Sequence, residues 1–94
     1  MIEMKSDPTS NDMPKVFRQI RNSDLCEIEK LTQAFQWMTS RILALSEKEI
    51  ELARAMKDEE ALIREQIKYE VMKSARGIFQ ECYRAMFGRK AWDE

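Results

Sequence analysis

Between Ile28 and Met56 the apolar residues Ile28, Leu31, Phe35, Met38, Ile42, Leu45, Leu52 and Met56 recur at alternating steps of three and four, with one gap. A helix of 3.6 residues per turn collects such positions into a single row. In heptad terms Ile28, Phe35, Ile42 and Met56 take a positions, and Leu31, Met38, Leu45 and Leu52 take d positions. Glu49 is the one lapse, at an a position. A second row follows, made of Ile63, Ile67, Val71, Ala75, Ile78, Cys82 and Met86. Leu62, Tyr69, Met72, Phe79, Tyr83 and Phe87 widen it. The two rows predict an all-α fold.

Helix boundaries follow from capping chemistry. Asp24-x-x-Glu27 reads as a capping box that opens the first long helix. Ser46 and Glu49 form a second such box, with Leu45 and Ile50 spaced as its hydrophobic staple. A break at Ser46 is therefore expected, and a turn at Lys57-Asp58 is the alternative. Residues 1–13 are polar, breaker-rich and without period, and are expected to be a disordered arm. Pro14 suits the first turn of a short helix carrying Val16, Phe17 and Ile20. Gly88 suits a C-cap. The expected organisation is one helical domain over residues 14–88, with helices at about 14–21, 24–44 and 47–87 and a short tail over 89–94.

Helices with those bounds are unequal, about 32 Å and about 62 Å at ~1.5 Å per residue. Half of the longer one, with Ile67, Val71, Ile78, Phe79, Tyr83 and Phe87, would lack a partner in the hairpin. Leaving such a row in water is unfavourable by roughly 25 cal/mol per Å². The expectation is a long helical hairpin that dimerises into a four-helix bundle or an antiparallel coiled coil. A three-helix monomer is the alternative.

Composition narrows the chemistry. The 94 residues include no histidine, two cysteines and two glycines, and the net charge is −1. Without histidine there is no imidazole base, nucleophile activator or metal ligand. Cys26 and Cys82 stand 56 positions apart, too few and too far for a zinc motif. Two isolated glycines make no phosphate-binding loop. An enzyme working through Arg, Lys and Glu inside a helical bundle needs charge at buried positions, whereas the positions expected to be buried are apolar. No enzyme activity, cofactor or metal is expected. No run approaches the ~20 apolar residues of a membrane span. The start, Met1-Ile2-Glu3-Met4-Lys5, lacks the apolar core of a leader, and a cytoplasmic location is expected.

The remaining candidates concern binding. Trp37 falls at a c position, off the main row, with Leu43 and Ile50 nearby at b positions. It reads either as an anchor for a partner or as a residue covered by the first helix through Phe17 and Ile20. Tyr83, Phe87 and Trp92 form a second candidate contact for a partner at the C-terminal end, and Trp92 reads otherwise as part of a frayed tail. Over residues 71–90 the bases Lys73, Arg76, Arg84, Arg89 and Lys90 face Glu81 alone. They are candidate phosphate contacts. The expected function is a protein–protein interaction module, a small regulator, adaptor or inhibitor that binds itself and a larger protein. The alternative is a dimeric nucleic-acid-associated regulator using the basic C-terminal helix.

Overall fold

The computed structural model describes residues 13–93. They form three α-helices, α1 (Met13–Arg21), α2 (Glu27–Ala55) and α3 (Glu59–Phe87). The arm read over residues 1–13 lies outside the described residues, except for Met13, which opens α1. All-helical packing is therefore established among the described residues.

The expected break at Ser46 does not occur. Helix α2 runs through it unbroken, and the chain turns at Met56-Lys57-Asp58 instead. Two linked devices fix this turn. Asp58 N–H donates to Ala53 O at 2.9 Å and Lys57 N–H donates to Arg54 O at 3.2 Å. That pair of bonds is a Schellman motif, which satisfies carbonyls orphaned at the end of α2. Lys57 takes its left-handed position, at φ 56°, without being glycine. Asp58 then caps α3, its Oδ1 accepting from Ala61 N–H at 3.1 Å. One residue thus finishes one helix and starts the next, which the fuller capping box at Ser46 could not do from inside a helix.

Without a break at Ser46 the two long helices are equal rather than unequal. Helices α2 and α3 are 29 residues each, about 43 Å long, and pair along their lengths. The Asp24–Glu27 capping box is also absent. Cys26, with extended backbone, is the N-cap of α2. Ser23 organises the preceding turn, donating to Ile20 O at 2.7 Å and accepting from Leu25 N–H. The chain therefore enters α2 two residues later than the motif implied.

Helix α1 packs on α2 and makes no contact with α3. The three helices lie side by side in a slab of 47 × 30 × 16 Å. Its least dimension, 16 Å, exceeds the ~10–12 Å of a single helix with its side chains. The radius of gyration is 15.3 Å, against about 12 Å for a compact chain of this size. Apolar faces are usually buried against another layer, and large apolar residues of α2 and α3 are left exposed here.

Candidate interaction surface

The apolar row of α2 does not supply the fully buried seam of the hairpin, although its Phe35 stacks on Phe79 of α3 and Met38 and Ile42 are half-buried. Thr32, Thr39, Ser46 and Ala53 are the α2 residues buried against α3, and they repeat every seven positions. Small side chains let the two helix axes approach closely. Their polarity costs little in burial where a partner is built in. Thr32 Oγ1 donates to Ile28 O and Thr39 Oγ1 to Phe35 O, each at 2.7 Å within α2. From α3, Arg76 and Tyr83, again seven apart, are buried in return.

The large residues are pushed outward as a result. Eleven of them are exposed among the described residues. From α2 these include Ile28, Leu31, Leu45 and Leu52, with Met56 at the helix end, and from α3 Ile63, Ile67, Val71, Ile78 and Met86. Exposure reaches 60% for Leu31, 65% for Ile78 and 75% for Met86, so these are not edges of a core. Rows of this extent exceed the singly scattered apolar residues of an ordinary protein surface.

Trp37 is not part of that surface. It is 3% exposed and packs with Val16 and Ile20 in a small core under α1. The Phe17 ring meets it edge-on at 5.6 Å. The candidate partner anchor is thus a core residue, covered as the second reading of it required. Leu43 and Ile50 are half-buried. Leu43 lines a cleft of about 500 Å³ between α2 and α3, with Glu47, Tyr69, Lys73 and Arg76. Tyr69 Oη donates to Glu47 Oε1 across it at 3.0 Å. This bond raises the Tyr69 pKa, with desolvation and the nearby carboxylate charge adding to it.

The C-terminal tail is folded back rather than frayed. Gly88 adopts φ 69°, and its N–H donates to Arg84 O at 2.8 Å. Only a residue free of Cβ strain takes that left-handed cap easily. The reversal brings Trp92 onto Phe79 at 5.8 Å and Phe35 at 6.4 Å, rings that themselves stack at 4.5 Å. The Arg76 guanidinium lies 5.0 Å from the Trp92 ring. Trp92 is therefore buried and closes the open end of the hairpin. Tyr83 is buried too, whereas Phe87 stays 41% exposed beside it.

The five bases do not assemble into one phosphate-binding patch. Arg76 is buried. Arg89 donates to Glu29 Oε1 at 3.0 Å and sits over the Tyr83 and Phe87 rings. Lys73 lies over Tyr69. Arg84 and Lys90 remain together, at the rim of a hollow of about 310 Å³ beside Trp92. Charge density read along the sequence could not foresee that burial and pairing would divide the set.

Thr32, Thr39, Ser46 and Ala53 carry no mark of a seam in the sequence beyond their seven-residue spacing. Glu29 and Glu47, which hold Tyr83 and Tyr69, are marked by no motif. Among the described residues no group of three or more His, Cys, Asp or Glu could hold a metal ion, and no helix is long and apolar enough to cross a membrane. Compared with family models, curated proteins and solved structures, the chain finds no match in any of the three.

Proposed function

We propose that this chain is a non-enzymatic protein–protein interaction module that acts as a dimer, a small regulator, adaptor or inhibitor of a larger protein. The observation that carries this reading is the outward placement of apolar rows along both helices of the α2–α3 hairpin. Two α2–α3 hairpins laid face to face make a four-helix bundle and cover each other's apolar rows. The face is about 43 Å long and about 20 Å wide for two helices at 8–10 Å spacing, roughly 860 Å². A stable interface of standard size needs about 800 Å² per partner.

Ser40 and Glu47 stand two residues from Met38 and Leu45, about 200° around α2 at ~100° per residue. The cleft they line with Leu43, Tyr69 and Lys73 therefore opens away from the apolar row. In the dimer that side stays open to a larger protein.

Light scattering behind a sizing column tests the dimer. The expected mass is twice the 11.2 kDa of the chain, at low and at high salt alike, because an apolar contact is little screened. Leu45→Asp with Ile78→Asp is expected to give monomer. A wild-type monomer at tens of micromolar would overturn the reading.

A further inference from the structure

We infer that two copies of this chain pair antiparallel about a two-fold axis that crosses α3 between Ser74 and Ala75 and α2 at the level of Ser40, setting Cys82 of each chain against Ile67 of the other. This assembly is the dimer proposed above with its register specified, and it rests on that reading.

The first observation is the symmetry of the exposed row on α3. Ile63 and Met86, Ile67 and Cys82, and Val71 and Ile78 each lie equally far from the Ser74–Ala75 bond. All six are exposed. Ile63, Ile67 and Val71 fill one arm, Ile78 and Met86 with the smaller Cys82 the other, and the smallest residues, Ser74 and Ala75, stand at the centre. A two-fold interface must be complementary to itself. An antiparallel copy matches this row at every large position only when the axis passes through that centre. A shift of one turn sets a large residue against the small centre and leaves an end uncovered.

Helix α2 reaches the same axis independently. Phe35 stacks on Phe79, and Tyr69 binds Glu47, so Ser40 lies level with Ser74–Ala75 across the hairpin. About Ser40, Met38 mirrors Ile42, Phe35 mirrors Leu45 and Ile28 mirrors Leu52. Leu31 meets Glu49, the one charged residue in the row. A single polar position of this kind sets register in coiled coils at a cost in stability.

Charge selects antiparallel over parallel. Helix α3 opens with Asp58, Glu59 and Glu60 and closes with Arg84, followed by Arg89 and Lys90, all exposed. A parallel copy would set acid against acid and base against base, with the helix dipoles aligned. An antiparallel copy sets each acidic end against a basic one and opposes the dipoles.

The native thiol makes this testable in the full chain. With Cys26→Ser, Cys82 is the only cysteine. In the proposed register the two Cys82 residues lie about 22 Å apart along the helix at ~1.5 Å per residue, so mild oxidation by oxidised glutathione leaves no covalent dimer. Adding Ile67→Cys is expected to give a covalent dimer with no free thiol, each disulfide formed from two thiols as glutathione disulfide is reduced. A bridge between residues 67 and 82 within one chain is barred by the same 22 Å. Ile63→Cys with Met86→Cys, in a chain lacking Cys26 and Cys82, is expected to cross-link likewise and covers the case where Ile67→Cys fails to fold. Covalent dimer from Cys82 alone would overturn the proposed axis, which holds the two thiols about 22 Å apart. Failure of both engineered pairs in a chain that is dimeric by mass would overturn the register and leave the dimer standing. A monomeric mass would overturn both.

Discussion

Glu29 accepts a hydrogen bond from Tyr83 Oη across the open end of the hairpin, 54 positions away in the chain. The same carboxylate oxygen holds Arg89 at 3.0 Å. One acid at the start of α2 therefore ties down both the end of α3 and the returning tail.

The bond to Glu29 is the largest cause that lifts the Tyr83 pKa above the usual 10.0, with desolvation second, and Arg89 opposes it weakly. Tyr69 is raised likewise by Glu47. The folded chain holds these phenolic protons more tightly than the unfolded chain does. Their contribution is complete below about pH 10 and is lost as pH climbs through the raised folded-state values. Urea unfolding is expected to show stability falling above pH 10. The double variant Tyr69→Phe/Tyr83→Phe should be less stable at pH 8 and fall less steeply above pH 10. An equally steep alkaline fall in that variant would show that other groups set it.

Lys57 occupies a left-handed position at a cost that glycine avoids. Lys57→Gly is expected to stabilise the chain by about 0.5–1 kcal/mol. Asp58→Ala should cost about 1 kcal/mol through loss of the α3 cap. Denaturant midpoints at unchanged m values measure both. A destabilised Lys57→Gly would mean that the lysine side chain contributes something its backbone strain conceals.

Ser46 separates the two readings of α2. As an N-cap it would be needed for its hydroxyl, and alanine would be costly. As a small residue in the hairpin seam it tolerates alanine and rejects bulk. Ser46→Ala is expected within about 0.5 kcal/mol of wild type, and Ser46→Leu to cost about 1–3 kcal/mol by overpacking. Thermal melts at fixed protein concentration decide between them.

Trp37 holds α1 in place. Trp37→Ala removes about 3–5 kcal/mol of the packing that docks α1. Amide exchange is expected to become fast over residues 13–21 and to stay slow through the paired parts of α2 and α3. Protection lost evenly over all three helices would instead make Trp37 part of the hairpin's own stability.

The apolar periodicity of this chain was enough for helices, and Gly88 and Pro14 were legible as punctuation. The turn was not legible, because Ser46-x-x-Glu49 is a better local cap than Asp58. Local capping is worth about 1 kcal/mol. Pairing two helices of equal length over about 43 Å is worth several times more, and only the turn at Lys57-Asp58 permits it. The site was misplaced for a related reason. Large apolar residues were assigned to the internal seam because burial favours them, yet Thr32, Thr39, Ser46 and Ala53 fill it.

Helix content, the two rows of large residues and the acidic-to-basic run of α3 are properties of residue order, since a helix converts spacing into faces. Which face each row occupies was decided in three dimensions. Small side chains fill the seam between α2 and α3, α1 covers Trp37, and the tail returns Trp92 to Phe35 and Phe79. These are contacts between residues tens of positions apart. Local spacing leaves them open, and packing settles them.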